Sequence, residues 1–149
     1  MNELVFVMPE DGSDVASPDM KWLRDMVLHG GADFWCGGSG QGWLTHPGGS
    51  DLILHFADRH GFYLEYHDAE TGYWIPLSET GSDSGAPVWV GGDPIIVSQR
   101  FFVSPDAAWT AVEEFCKTGQ RAGRVPWVRR SEVQWSFGYW DHPELELNR

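Results

Sequence analysis

Residues 51–77 read DLILHFADRHGFYLEYHDAETGYWIPL, three short apolar segments separated by two polar turns. The segments are residues 52–56, 62–67 and 73–77. In the middle segment, Phe62, Leu64 and Tyr66 alternate with other side chains, which places them on one face of a β-strand. Strands of this length, joined by short turns such as DRHG and DAETG, predict an antiparallel meander.

Further short strands are predicted on both sides of this meander, where apolar runs are bounded by glycine, proline or polar turn residues. They are residues 4–8, 34–36, 42–45, 88–90, 95–97, 101–103, 125–128 and 133–139. Pro126 interrupts one of these runs and so predicts a strand at the edge of a sheet. The last residues, 142–149, are predicted to be a polar tail.

Two helices are predicted, and both begin at a Ser-Pro-Asp sequence, at residues 17–19 and 104–106. The serine is expected to cap each helix, with proline in its first position and aspartate in its first turn. Gly30-Gly31 is expected to end the first helix and Gly119 the second. Together these elements predict one α+β domain over residues 1–149, in which two helices pack on a twisted antiparallel sheet of about six to eight short strands.

The excess of acidic over basic residues limits the kinds of molecule that this chain could bind. The chain carries 22 Asp and Glu against 10 Lys and Arg, a net charge of −12. Because a nucleic-acid binder needs a basic face that neutralises phosphates, this balance argues against direct contact with nucleic acid. No apolar run approaches the roughly 18 residues that cross a bilayer, and the N-terminus lacks the pattern of a secretory signal. We therefore expect no membrane association and a cytoplasmic location.

No motif in the sequence supports catalysis or metal binding. Cys36 and Cys116 form no zinc-like pair with each other or with a histidine, so we expect free, buried thiols. His55, His60 and His67 fall on adjacent predicted strands or turns, where ordinary surface positions are favoured over a metal site. The sequence contains neither a Gly-x-Ser-x-Gly elbow nor a phosphate loop. We expect no enzymatic activity, no metal and no cofactor.

The acidic residues are unevenly distributed along the chain. Residues 1–20 contain five acids and no base, and residues 58–93 contain seven acids against Arg59 alone. A cluster of arginines follows the second predicted helix: Arg121, Arg124, Arg129 and Arg130. With 9 Trp in the chain, an acidic surface bearing aromatic anchors would suit a basic protein partner. A solvated acidic face without a partner explains the same distribution equally well.

The region around the second predicted helix resembles a known family. Residues 103–119 read VSPDAAWTAVEEFCKTG, and Arg121 and Val125-Pro126-Trp127 follow them. This pattern is similar to that of the first-numbered family of bacterial immunity proteins, which protect cells against polymorphic toxins and include inhibitors of nucleic-acid deaminase toxins. The positions that fit are Ala107, Glu114, Phe115, Thr118, Gly119, Arg121, Val125 and Trp127. Ala122 stands where the family often has proline, and only a loose likeness extends beyond residues 103–127.

The resemblance implies an inhibitor that binds a cognate toxin domain and occludes its active site, with no chemistry of its own. A toxin that deaminates or cleaves nucleic acid needs a basic cleft. A protein of net charge −12 would have the complementary charge to bind such a cleft and block it. Acidic loop residues and the tryptophans beside them are then the expected contacts with this partner. They are Asp68, Glu70, Trp74, Glu79, Asp83 and Trp89.

A second class of function remains open from the sequence. Exposed tryptophan and tyrosine side chains could stack on sugars, as in a small carbohydrate-binding or ligand-binding module. Gene neighbourhood separates the two classes, because an immunity gene lies directly beside a toxin gene. Exposed edge strands and tryptophans leave both a monomer and a homodimer open.

Overall fold

The computed structural model describes residues 3–78, 84–90 and 93–133. Within these residues the chain forms three α-helices, ten β-strands and two single 3-10 turns. The helices are α1 (Met20–His29), α2 (Gly31–Trp35) and α3 (Pro105–Thr118). The strands are β1 (Val5–Val7), β2 (Asp14–Ala16), β3 (Gln41–Thr45), β4 (Asp51–Ala57), β5 (Gly61–Asp68), β6 (Gly72–Pro76), β7 (Gly85–Val90), β8 (Asp93–Ser98), β9 (Phe102–Val103) and β10 (Trp127–Arg129). The 3-10 turns are Gln99–Phe101 and Arg130–Glu132.

Eight of the described strands form one antiparallel sheet. Its order is β10-β6-β5-β4-β3-β1-β2, and β9 pairs with one end of β5. The predicted meander is β4, β5 and β6, in which Leu54 lies opposite Leu64 and Tyr66 opposite Trp74. β7 and β8 form a separate two-stranded hairpin. The predicted α+β class with an antiparallel sheet is confirmed, with one helix more than the two that were predicted.

Helix α3 begins and ends as the sequence predicts. Ser104 accepts a hydrogen bond from the Ala107 N–H at 3.2 Å, and Pro105 is the first residue of the helix. Gly119 ends it in the left-handed conformation, with φ 74°, which glycine adopts without steric cost. One face of the helix is buried: Ala108, Ala111, Val112 and Phe115.

Helix α1 begins later than predicted. Asp19, rather than Ser17, is its cap, because the Asp19 carboxylate accepts a hydrogen bond from the Trp22 N–H. The Ser17 hydroxyl instead donates to Glu3 at 2.8 Å, and the Ser17 N–H donates to the carbonyl oxygen of Leu4. Both bonds are made to the residues just before β1, so the Ser17 hydroxyl is not available to cap the helix.

Trp35 is the largest fully buried side chain of the helix-side core. Its ring centroid lies 4.9 Å from that of Phe34 and 5.2 Å from that of Phe62. Its indole N–H donates to the carbonyl oxygen of Met26, at the end of α1, at 2.9 Å. The prediction of a strand at residues 34–36 is therefore wrong. These residues form the end of the short helix α2, which directs the Trp35 side chain into the core. An apolar run of three residues carries no periodicity that separates a strand from a helical turn.

Gly42 on β3 leaves room for the Trp35 ring. A Cβ at position 42 would lie 2.5 Å from Cζ3 of Trp35 and 3.1 Å from Cε1 of Phe6. We expect Gly42→Ala to lower the free energy of unfolding by about 1–3 kcal/mol through overpacking. Gly123→Ala is the matched control, because nothing lies within 4 Å of a Cβ at that position. Chemical denaturation of both variants tests this prediction, and equal stability of the two would contradict it.

The β7–β8 hairpin covers part of the sheet face that lies opposite the helices. Val88 and Val97 of the hairpin are fully buried. They share a second apolar cluster with Tyr63 of β5 and Ile75 of β6. The central strands are thus covered on both faces, by helices on one side and by the hairpin on the other.

Three further expectations concern the C-terminal part and membranes. The edge strand predicted at 125–128 is confirmed as β10, the outermost strand next to β6. The strand predicted at 133–139 lies outside the described residues beyond Val133, and so does the polar tail at 142–149. Among the residues that the structure describes, no helix is long and apolar enough to cross a membrane.

Candidate partner-binding surfaces

The turn between β5 and β6 and the strands beside it hold three of the predicted contact residues, Asp68, Glu70 and Trp74. Asp68 accepts hydrogen bonds from the N–H and hydroxyl of Thr71, at 2.5 and 2.8 Å, and from the Tyr66 hydroxyl at 2.9 Å. The indole N–H of Trp74 donates to the Thr71 hydroxyl oxygen at 3.0 Å. Desolvation raises the pKa of Asp68, but the hydrogen bonds from Thr71 and Tyr66 outweigh it and hold that pKa below its ordinary value. Asp68 thus organises the turn, whereas Glu70 is exposed.

Two arginines surround the indole ring of Trp74. The guanidinium carbon of Arg121 lies 3.6 Å from the ring centroid, and that of Arg129 lies 4.9 Å from it. Both distances fall within the range of cation–π contacts. The pairing of β10 with β6 brings the arginine cluster to the acidic turn, a contact that no local sequence signal could predict. The Trp74 ring is therefore already engaged by cations of its own chain.

The remaining predicted contacts do not join this turn. Trp89 on β7 is 40% exposed, and its carbonyl oxygen lies 3.2 Å from Nδ1 of His55 on the hairpin side of the sheet. The Trp74 ring packs instead against the helix-side core. The structure thus brings the three turn residues together and places Trp89 on the opposite face. Glu79 and Asp83 lie outside the described residues.

A largely buried triad of polar side chains, His55, Glu65 and Arg130, links the hairpin to the sheet. Glu65 Oε1 lies 3.1 Å from His55 Nε2, and Glu65 Oε2 accepts a hydrogen bond from Arg130 Nη1 at 2.9 Å. Desolvation raises the pKa of Glu65, but the hydrogen bonds and charges of His55 and Arg130 outweigh it and leave that pKa below its ordinary value. Because the His55 side chain is fully buried, the triad is a structural tie rather than a site open to a substrate.

Beyond the hairpin, the same sheet face presents side chains to the surface. Trp43 on β3 is 38% exposed. It pairs with Val7 of β1, which pairs in turn with Asp14 of β2. We call this region the open face. It consists of Val5, Val7, Asp14, Trp43, Thr45, Asp51 and His67. Trp43 was not among the contact residues predicted from the sequence, because the strand pattern around it does not show which face of the sheet is covered.

The thiols and histidines form no metal-binding group in the described part of the chain. Over residues 3–78, 84–90 and 93–133, no three His, Cys, Asp or Glu side chains are grouped to hold a metal ion. Cys36 and Cys116 are free and half-buried. Burial raises the pKa of Cys116 to about 12, and it also raises that of Cys36, to which the charge of Asp58 adds. Thiols kept protonated in this way are poor nucleophiles.

No protein-family model, curated protein or solved structure matches this chain. The geometry itself offers two surfaces to a partner. One is the turn that carries Asp68, Glu70 and Trp74, and the other is the open face with Trp43, beside the exposed Trp89.

Proposed function

We propose that this protein is an immunity protein, which binds a basic toxin domain in the bacterial cytoplasm and occludes its active site. The observation that carries the proposal is the exposure of Trp43, on the large sheet, and Trp89, on the hairpin that covers the same side of it, in a chain with net charge −12. Tryptophan is enriched among the residues that dominate protein–protein binding energies. A strongly acidic surface selects a basic partner.

Trp43 and Trp89 lie near each other on this side of the sheet. The backbone of Trp89 contacts His55, which pairs with Gln41 on β3. The Trp89 side chain also lies against Gly40, directly before β3. Trp43 follows Gln41 by two positions, about 7 Å along the strand. One partner surface could therefore contact both tryptophans.

The residues that carry the resemblance to immunity proteins support the fold rather than the contact. Phe115 is buried on α3, and Gly119 forms the left-handed end of that helix. The indole N–H of Trp127 donates to the carbonyl oxygen of Ala122 at 3.0 Å. We therefore assign no inhibitory contact to these positions. The partner surface is proposed among the acidic and exposed aromatic residues instead.

Inhibition by occlusion needs only affinity and coverage. A negative field facing a basic cleft accelerates encounter by about 10- to 1000-fold. The exposed tryptophans would then bury apolar area against the cleft rim and exclude water from the contact. A toxin that deaminates or cleaves nucleic acid would present such a cleft, since its substrate is polyanionic.

Co-expression with the polymorphic-toxin domain encoded by the neighbouring gene tests the proposal. We expect rescue of growth and a stable one-to-one complex on purification. A gene neighbourhood without a toxin, or a toxin that neither binds nor is neutralised, would contradict the proposal. Glycan binding through the exposed tryptophans would then favour the alternative, a small ligand-binding module.

Reversing three of the predicted acidic contacts is expected to slow association with the toxin. In the variant Glu70→Lys/Glu79→Lys/Asp83→Lys each change adds two positive charges, so the net charge of −12 becomes −6. We expect the association rate to fall about tenfold at low salt, with a weaker salt dependence. Asp68 is left unchanged because it organises the turn. Stopped-flow mixing at low and high salt measures the effect.

The control for this variant makes the same change of net charge on the helices. It is Asp25→Lys/Asp33→Lys/Glu113→Lys, at exposed positions on the far side of the sheet from the hairpin. We expect its association rate to fall less than that of the loop variant. An equal fall in both variants would mean that only the overall charge matters and would contradict the placement of the contact in the loops.

A further inference from the structure

The open face combines an exposed tryptophan with carboxylates on both sides of it. We infer that this face receives a basic segment of the toxin, with a lysine or arginine side chain of the partner stacked on Trp43 between Asp14 and Asp51. This inference rests on the proposed function. It adds the surface of contact and the chemistry that the partner must bring.

Trp43 occupies the centre of the open face. Reading across the sheet, Asp14 of β2, Val7 of β1 and Trp43 of β3 form one row. Because neighbouring strands lie about 4.8 Å apart, Asp14 is about 10 Å from Trp43 across the sheet. Asp51 of β4 is the diagonal neighbour of Trp43, at about 7–8 Å. A cation seated on the indole ring would therefore lie within reach of both carboxylates.

The charge of the open face is negative. Its seven residues include two aspartates and no lysine or arginine. Asp14 is exposed, and Asp51 is one-quarter exposed, with Nδ1 of His67 at 4.0 Å. Arg130 lies beyond one border of the face, where its guanidinium group stacks on Tyr73 at 3.8 Å and is paired with Glu65. None of the seven residues supplies a basic group, so the open face is suited to a lysine or arginine of a partner.

The chain already contains the type of contact that we infer. At Trp74 the guanidinium group of Arg121 lies 3.6 Å from the ring centroid, beside the carboxylate-bearing turn. None of the cation–π pairs among the described residues involves Trp43. Trp43 has the same ring and flanking acids, and its ring is available to a cation from outside.

A second copy of this chain is a poorer occupant of the open face. Two chains that each carry a net charge of −12 repel one another. Within one chain, Arg121 and Arg129 are stacked on Trp74, and Arg130 is held by Glu65. These three arginines are thus engaged within their own chain, and the strong excess of acids over bases favours a basic partner of a different kind.

Calorimetric titration of the neighbouring toxin domain into wild type and two variants tests the inference. We expect Trp43→Ala to weaken the affinity at least about tenfold, because the anchor is lost. Asp14→Lys/Asp51→Lys should weaken it by a similar factor and flatten its dependence on salt. The matched control is Asp25→Lys/Glu113→Lys, two equivalent reversals on the helix side, for which we expect a change within about twofold. Circular dichroism and thermal unfolding establish that each variant is folded.

The outcomes separate this inference from the proposed function. Full affinity in Trp43→Ala would overturn the inference and leave the proposed function intact, because the complex still forms. No complex with wild type would overturn both. Sedimentation of the protein without toxin tests the remaining alternative. If wild type is a dimer and Trp43→Ala is a monomer, the open face binds a second copy of this chain, and the inference of a basic toxin segment is overturned.

Discussion

Removal of the Glu65 carboxylate is expected to lower the free energy of unfolding by about 3–5 kcal/mol. In Glu65→Ala, the buried His55 and the mostly buried Arg130 lose the negative charge that both of them contact. The hairpin also loses its tie to the sheet, since His55 bridges Glu65 and the backbone of Trp89. For a domain of this size the loss corresponds to a fall in Tm of about 6–20 °C. Thermal unfolding at neutral pH measures it.

A triple variant distinguishes the loss of a partner from the loss of the whole triad. His55→Leu/Glu65→Met/Arg130→Met replaces the buried ionic group with apolar side chains, a change that is often neutral or stabilising. We therefore expect the triple variant to be more stable than Glu65→Ala alone. Stability of Glu65→Ala within about 1 kcal/mol of wild type would contradict the assignment of the triad as a structural tie.

The same triad predicts how stability depends on acid. The pKa of Glu65 in the folded protein lies below its ordinary value of 4.5, so folding favours the ionised carboxylate. The stabilisation is complete above the ordinary pKa and is lost as the pH falls through the lowered pKa of the folded state. The difference in unfolding free energy between wild type and Glu65→Gln should therefore shrink over that range. A difference that does not change with pH would contradict it.

Trp35→Ala is expected to lower the free energy of unfolding by about 3–5 kcal/mol. The side chain is fully buried, contacts Phe34 and Phe62 edge to face, and donates its indole N–H to the carbonyl oxygen of Met26. Its removal leaves a cavity between α2 and the sheet, and the lost aromatic contacts add to the cost. Chemical denaturation measures the effect.

Trp43→Ala is the matched control for this variant, because it removes the same side chain from an exposed position. We expect it to lower the free energy of unfolding clearly less than Trp35→Ala does, because part of the Trp43 side chain is already in contact with water. The Trp35→Ala background should also reduce the cost of Gly42→Ala, since the ring that a Cβ at position 42 would meet is gone. Similar losses from Trp35→Ala and Trp43→Ala would contradict the assignment of Trp35 to the core.

The central meander and helix α3 were predictable because their signals are local. Alternating side chains in β5 and the short turns on either side of it define the strands within a few residues. Ser104 and Gly119 act on the backbone of α3 within one turn of its ends. Such interactions form between neighbours in the chain, so the residues themselves predict them.

Local signals fail where a distant segment competes for the same group. Ser17 has the pattern of a helix cap, but Glu3 and Leu4 on the strand side take its hydroxyl and N–H. Residues 34–36 have the composition of a strand, but Trp35 reaches the core from the end of a short helix. In both cases the deciding contact comes from a segment whose position depends on the packed sheet.

The candidate site shows the same division. The acidity of residues 68 and 70 and the presence of nearby tryptophans were visible in the sequence. The stacking of Arg121 on Trp74 and the pairing of Glu65 with Arg130 were not, because β10 and the turn after it reach β5 and β6 only in the folded sheet.

The sequence by itself determined the α+β class, the central meander, the limits of α3 and the strong net negative charge. Only the tertiary structure decided the environment of each tryptophan side chain. Trp35 lies in the core, Trp74 is stacked with arginines, and Trp43 is exposed on the open face. The reason is physical. Each strand offers side chains to two faces, and whether a face is buried depends on which helix, hairpin or edge strand packs against it, a choice made by contacts between segments far apart in the chain.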